Sequence, residues 1–323
     1  MAGTLFRANH GAILADEIQA SFMTAISRRE LLSAAAASGA AIAAGADAQL
    51  PLVRFGEHRV SRLIVGGNPI SANSHVSPQL DGEMRDYFTV ANAKKLLAAC
   101  EQYGINTWQS RGDRHIMRLL HEYRLEGSKI QWIAQTATEY GDLKRNLAEI
   151  SALKPIGIYH HGSQTDRYWN VNRIDQVSES LKAIRQTGAQ VGLGTHIPEV
   201  IDYVESKGWD LDFYMTCVYN LGRTREEAER LAGRSVPGEL FWDADREKML
   251  ARVKSTSKTC LIFKIYGATR QCATTGARKA AVDLAFDYAK HGDAVVVGMF
   301  PKYSEQVHEN CRLVAESIKR SPV

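Results

Sequence analysis

Ile156-Gly157-Ile158-Tyr159-His160, an amphipathic stretch over residues 173–187, and then Gln190-Val191-Gly192-Leu193-Gly194 form the segment that decides the fold. A short apolar run bounded by Pro and Gly reads as a strand buried on both faces. The 3.6-residue apolar spacing after it reads as a helix, and the second short run completes a βαβ unit with parallel strands. The alternation extends in both directions. Strand-like runs occupy residues 63–66, 105–109, 130–136, 156–160, 190–194, 211–217, 260–265 and 294–298, after a β-like lead at Val53-Arg54-Phe55. Helical patterns fill residues 90–103, 115–126, 142–153, 173–187, 198–207, 245–255, 276–291 and 304–319. Eight such units in about 260 residues predict an α/β fold, a (β/α)8 TIM barrel, as one domain over residues 49–323. A doubly wound open sheet would place a Gly-rich phosphate loop after an early strand. Gly66-Gly67-Asn68-Pro69 is not that loop, because no helix opens directly from it.

The whole chain has 323 residues, 45% apolar and 24% charged, with a formal charge of +4. This balance excludes a disordered chain, a collagen-like chain and a disulfide miniprotein. The charge is spread out with no basic block, so no nucleic-acid partner is expected. Residues 1–48 stand apart. Ser27-Arg28-Arg29-Glu30-Leu31-Leu32 precedes an uncharged Ala-rich stretch that ends at Ala46-Asp47-Ala48. A twin arginine, a weakly apolar stretch and an A-x-A site, in that order, predict a cleaved twin-arginine signal peptide, with Met23 as a shorter alternative start. The stretch is too short and too rich in Ala and Gly for a membrane span. The expected partner is the twin-arginine export machinery. The expected product is soluble, periplasmic or otherwise exported, with no stable membrane anchor. None of Cys100, Cys217, Cys260, Cys272 and Cys311 forms a C-x-x-C pair, and a chain exported already folded need not depend on disulfides. Most of them are expected to be small apolar core residues, and Cys217, at the end of the sixth strand, is the one set apart.

In such barrels the chemistry sits at the carboxyl ends of the strands. Those ends carry Asn68; Gln109, Arg111, Asp113 and Arg114; Gln135 and Glu139; His160 and His161; His196; Tyr219 and Asn220; Lys264 and Arg270; and Lys302. Strand starts are mostly apolar, so the asymmetry points to a reacting rim. Its cations favour an anionic or oxyanion-forming small-molecule substrate and depress the pKa of a lysine among them. Successive strand residues face opposite sides, so one of His160 and His161 enters the pocket. Ile156 and Ile158 suit interior positions, which selects His160. Lys264 is the first choice for an acid/base group if it faces the pocket; otherwise it ends at solvent or pairs with a carboxylate. His196 is either a pocket residue or a helix cap. Two His alone do not define a metal site, and no metal is expected. Residues 223–238 exceed an ordinary βα connection and are expected to cover the mouth. Trp169, Tyr214 and Trp242 either stack a ring-shaped ligand or pack in the core.

Val60-Ser61-Arg62-Leu63-Ile64-Val65-Gly66-Gly67, Tyr103-Gly104-Ile105-Asn106-Thr107-Trp108, Gly192-Leu193-Gly194-Thr195-His196-Ile197-Pro198-Glu199, Tyr219-Asn220-Leu221, Phe263-Lys264, and Val297-Gly298 followed by Gln306-Val307-His308-Glu309-Asn310 occur in register. Together they resemble the aldo/keto reductases. The resemblance implies a TIM-barrel oxidoreductase that moves hydride between NADP(H) and a carbonyl. It departs from the family at the catalytic Asp, Tyr and Lys, where this chain has Gln109, no tyrosine, and Gln135. Of the catalytic set only the His carries over, as His160 or its neighbour His161; with the strand-end groups, the expected non-standard acid/base set is His160, Lys264, Arg114 and Gln109. The expected substrate contacts are Arg111, Gln135, His196, Asn220 and Arg270. Lys302, Ser304, Gln306, Asn310 and Tyr219 are laid on the nucleotide, which would be bound before export and retained. The implied activity is an aldo/keto-reductase-like reaction on a small carbonyl or sugar-like compound with tightly held NADP(H). The alternative is a lyase, isomerase or hydrolase using the same mouth without nucleotide.

Overall fold

The computed structural model describes residues 50–320. The export signal predicted over residues 1–48 lies outside them. The chain enters through β1 (Leu52–Phe55) and β2 (His58–Ser61), an antiparallel hairpin with Phe55 opposite His58. Then follow β3 (Leu63–Gly66), α1 (Pro78–Tyr87), α2 (Val90–Gln102), β4 (Thr107–Arg111), α3 (Arg114–Leu125), β5 (Gln131–Gln135), α4 (Leu143–Ser151) and β6 (Gly157–His160). The second half runs α5 (Gly162–Asn170), α6 (Gln176–Arg185), β7 (Gln190–Thr195), α7 (Pro198–Ser206), β8 (Phe213–Cys217), α8 (Arg225–Ala232) and α9 (Ala244–Ser255). It closes with β9 (Thr259–Phe263), α10 (Thr275–Tyr288), β10 (Ala294–Gly298) and α11 (Gln306–Arg320). Strands β3 to β10 form a closed parallel barrel in which β10 returns to β3, pairing Val295 with Leu63. All eight predicted barrel strands are present, with helices alternating around them.

Because strand side chains alternate, the barrel has two apolar layers. The outward layer, including Trp108, Trp132, Ile158, Val191 and Tyr214, packs beneath the helices. The inner layer is smaller: Ile64, Ile133, Tyr159, Phe213, Met215, Leu261 and Val296, with Val53, Phe55 and Val60 of the hairpin closing the floor. The β-like lead is therefore a plug. Gly157 makes room for it, since a Cβ there would lie 3.0 Å from the Phe55 ring, and Gly192 makes room for Phe213 above, where a Cβ would lie 2.3 Å from the ring.

Strand β6 reverses one expectation. Ile158 lies in the outward layer and Tyr159 in the inner one, so the next inward position is His161 and not His160. Ile156 does touch the inner layer, but it precedes the strand, and the alternation begins only at Gly157. Among the described residues no helix is long and apolar enough to cross a membrane.

Candidate functional site

The site is built on the carboxyl ends of β6, β7, β8 and β9. Thr195 on β7 pairs with Thr216 on β8, and Cys217 pairs with Phe263 on β9. The register therefore brings His196, Cys217 and Phe263 side by side at the mouth, and the His196 and Phe263 rings lie 5.8 Å apart. Helix α5 places Asp166 against them. The Asp166 carboxylate accepts from Thr195 Oγ1 at 2.6 Å, from the His196 amide at 3.2 Å and from His196 Nδ1 at 2.5 Å. A carboxylate only accepts, so Nδ1 carries the proton and Nε2 remains for chemistry. His196 is not a helix cap, because α7 is capped by Ile197. Burial works against charge on the ring, but its electrostatic interactions with Cys217 and the Asp166 carboxylate, and the hydrogen bond to Asp166, push its pKa up to about 10.

Lys264 completes this cluster. It stands at φ 60, a left-handed conformation costly for a side-chain-bearing residue, and Ala268 and Thr269 in the same loop share that strain at φ 49 and 75. Burial pulls the Lys264 pKa down, Cys217 and Glu239 oppose that, and Arg270 adds to the lowering. Its Nζ lies 5.7 Å from the Phe241 ring centroid, while the Arg270 guanidinium stacks on the same ring at 3.9 Å. Glu239 accepts from His75 Nδ1 at 2.8 Å. Burial disfavours its charge, but His75, Lys264 and His196 hold its carboxyl below the usual range. Glu239 and Phe241, just beyond the predicted insert of residues 223–238, lie against Lys264.

On the other side of the mouth, Gln109 donates through Nε2 to Tyr159 Oη at 2.7 Å inside the barrel. Arg111 is paired with Glu139 and lies 3.7 Å from Asp113. Gln135 ends β5 half-buried. His161 stands among these groups, and its buried Nδ1 has no hydrogen-bond partner. Burial, then the positive charges of Arg111 and His196, push its pKa down to about 4, with Asp166 and Glu139 opposing.

Three predicted residues lie elsewhere. His160 turns its ring behind the strand, where Nδ1 meets Thr165 Oγ1 at 2.8 Å. Arg114 begins α3 with its side chain 69% exposed and stacks on Tyr140 at 5.6 Å; the helix start carries it out of the barrel. Asn220 lines a separate cleft of about 590 Å3 with Trp169, Glu199, Arg230 and Lys248. Gly222 lines that cleft too and abuts Asp166, where a Cβ would come within 2.9 Å of the carboxylate.

The residues laid on NADP(H) use their polar groups within the protein. Lys302 pairs with Glu83 at 3.4 Å, and Tyr303 donates to the same carboxylate at 2.6 Å. Gln306 Oε1 accepts from the Phe300 amide at 2.7 Å. Asn310 accepts from Tyr266 at 2.6 Å and donates to the Gln306 carbonyl at 2.6 Å. The Ser304 carbonyl accepts from the Gln306 amide at 2.9 Å. Tyr219 is buried with its hydroxyl donating to Asp243 at 3.3 Å. A phosphate held by Lys302 would have to displace Glu83. Among the described residues no three His, Cys, Asp or Glu side chains are grouped to hold a metal ion.

The histidines predict how stability follows pH. His160 is pushed down to about 4 by burial and by His161, as His161 is to about 4. Between their usual value of 6.5 and about 4 the unfolded chain binds more protons. Their contribution is therefore complete above 6.5 and is lost as pH falls, on the order of 3 kcal/mol per ring. His196 acts oppositely: its contribution is complete below 6.5 and is lost as pH rises through about 10. Urea midpoints should fall steeply on acidification below 6.5, and His161→Gln should flatten that slope. An unchanged slope would contradict the burial of His161.

No protein-family model matches the chain, and no curated protein matches it. Among solved structures it is similar to a phospho-2-dehydro-3-deoxyheptonate aldolase of Thermotoga maritima. That match has 12% identity and a TM-score of 0.50, and covers 85% of this chain and 74% of that one. It is also similar to an aldo-keto reductase, the glycerol dehydrogenase AKR11B4 of Gluconobacter oxydans. There the identity is 11% and the TM-score 0.49, over 86% and 97% of the two chains. A third match, to an N-acetylmannosamine-6-phosphate 2-epimerase of Clostridium perfringens, has 14% identity and a TM-score of 0.46, over 76% and 91%. At these identities the likeness speaks to the barrel architecture alone.

Proposed function

We propose that this chain is an exported barrel enzyme that performs general acid–base chemistry on the carbonyl group of a small polar compound. The observation that carries the reading is the buried Asp166–His196 pair, 2.5 Å between Oδ2 and Nδ1, set beside Cys217 and Lys264 at the strand ends. Asp166 fixes the tautomer and supports the charged ring; His196 gives and takes a proton through Nε2. Lys264 and Arg270 attract and polarise the carbonyl oxygen, and the unpartnered His161 Nδ1 offers it a further contact. Closing the mouth with Phe241 and Glu239 excludes water and strengthens each interaction.

Carbonyl reduction with tightly held NADP(H) is the form of this chemistry supported by the ordered aldo/keto-reductase-like motifs. Lys302, Gln306 and Asn310 are engaged within the protein, so no step is assigned to the nucleotide. The wider class, a lyase, isomerase or hydrolase, uses only groups the mouth contains. Folded export through the twin-arginine machinery suits either form. A screen of small aldehydes, ketones, lactones and esters, with and without NADPH, separates them. His196→Gln should lower turnover about a hundredfold or more with the circular dichroism spectrum unchanged. Full retention of turnover by His196→Gln would refute the reading. Quenching of protein fluorescence by NADPH would restore the reductase form.

A further inference from the structure

We infer that Cys217 is a nucleophile, activated by the Asp166–His196 pair, and that the site opens small carboxylic esters or lactones through a thioester on this sulfur. The inference rests on the acid–base reading above and goes beyond it by assigning covalent chemistry and a substrate class. Three observations carry it. Strand β8 points Phe213 and Met215 inward, and alternation places Cys217 at the mouth end of that face, where it also joins the apolar cluster under the helices. The β7–β8 register sets it next to His196, whose Nδ1 is held by Asp166, leaving Nε2 as the ring nitrogen open to the sulfur. A thiol, a base beside it and a carboxylate that orients the base form the constellation of an activated nucleophile. Lys264 follows β9, the strand paired with β8 at Cys217, and stands in a left-handed conformation at φ 60.

The other cysteines lack this setting. The Cys100 and Cys260 thiols are fully buried and pushed up by burial, and burial pushes Cys272 up as well. Cys217 is also fully buried, under a closed mouth. Access requires residues 239–241 to swing. The segment ahead of them is bounded by Gly233 at φ 65 and Gly238 at φ 107, conformations in which glycine is unstrained.

The chemistry balances without a redox partner. The Cys217 thiol gives its proton to His196 Nε2 as its sulfur adds to the carbonyl carbon, and the π pair moves to the oxygen, which accepts a hydrogen bond from Lys264. Collapse restores the carbonyl and breaks the bond to the alkoxide, which takes the proton from His196 Nε2. Water then gives a proton to that nitrogen, its oxygen adds to the thioester carbon, and the expelled sulfur takes the proton back from Nε2. Ester and water become carboxylic acid and alcohol, and the sulfur and the ring return to their starting states.

The test uses p-nitrophenyl acetate as the acylating probe and iodoacetamide as the alkylating probe, on the full chain carrying Cys272→Ser. Acid quenching followed by peptide mass mapping should find one acetyl group on Cys217, formed together with a burst of p-nitrophenolate. Iodoacetamide should label Cys217 at neutral pH, at least tenfold more slowly after His196→Gln, and faster after His75→Ala, which releases Glu239. A folded protein unlabelled at Cys217 by both probes overturns the proposal. So does a labelling rate that His196→Gln leaves unchanged. If Cys217→Ser keeps turnover of a carbonyl substrate that His196→Gln loses, the acid–base reading stands and the nucleophile falls.

Discussion

Asp166→Asn is expected to cut turnover about a hundred- to ten-thousand-fold while leaving the barrel folded. The substitution preserves volume but removes the charge that sits 2.5 Å from His196 Nδ1. An amide can present its NH2 to the ring as readily as its oxygen, so the tautomer that frees Nε2 for proton transfer is no longer enforced. The ring also loses one of the two partners that push its pKa up to about 10, and its titration, followed by NMR, should move down. Asp166→Ala goes further. It leaves Thr195 Oγ1, the His196 amide and a cationic ring without their buried partner. Breaking a buried pair from one side typically costs about 3–5 kcal/mol, measurable as a lower urea midpoint. A variant Asp166→Asn that keeps wild-type turnover and an unmoved His196 titration would leave the pair a structural contact.

The barrel was legible because its strands carry the signal that survives in sequence: short apolar runs that must be buried on both faces, spaced by amphipathic helices. Strand β10 begins and ends at the predicted residues 294 and 298, and β3 at 63 and 66. What went unread lacks that signal. Helix α5 buries Gly162, Thr165 and Asp166, polar or small residues that no apolar periodicity marks. Asp166 escaped notice for the same reason. The motif that could have found it is the run His161-Gly162-Ser163-Gln164-Thr165-Asp166, which returns a carboxylate to the mouth one helical turn after the strand. Helix α1 buries only Met84, although its Ser77 cap and the following Pro78 were a readable start.

The facing of β6 shows a different limit. Ile156 and Ile158 look alike in sequence, yet one precedes the pleat and touches the floor while the other packs under helices. A single residue of phase moved the inward ring from His160 to His161. Rim position was also a poor guide to Arg114, because a residue that opens a helix leaves the mouth even when its strand ends there. The cluster that did assemble, His196 with Cys217 and Lys264, comes from three neighbouring strands whose pairing only the closed barrel reveals.

Phe213→Ala should destabilise the barrel by about 3–5 kcal/mol, the range for deleting a buried phenyl ring without collapse of the site. The ring is fully buried at the floor, 4.9 Å from Phe55 of the plug and 6.4 Å from Tyr159. Its space is kept open by two glycines: a Cβ at Gly192 would lie 2.3 Å from it, and one at Gly157 would lie 3.2 Å from it. Gly192→Ala alone should therefore cost about 1–3 kcal/mol through overpacking. In Phe213→Leu the smaller side chain leaves room for that methyl, so Gly192→Ala added to it should cost less than in the wild type. Residues in direct contact commonly couple by about 0.5–3 kcal/mol, which a double-mutant cycle of denaturation midpoints can resolve. Additive costs would mean that the hairpin plug, rather than the fit of ring to glycine, sets the floor. Because Met215 and Cys217 follow Phe213 on the same inward face, the cavity variant also tests how rigidly the floor supports the mouth. A floor that carries no support would leave the His196 titration unchanged in Phe213→Ala, whereas a supporting one would shift it along with the loss of stability.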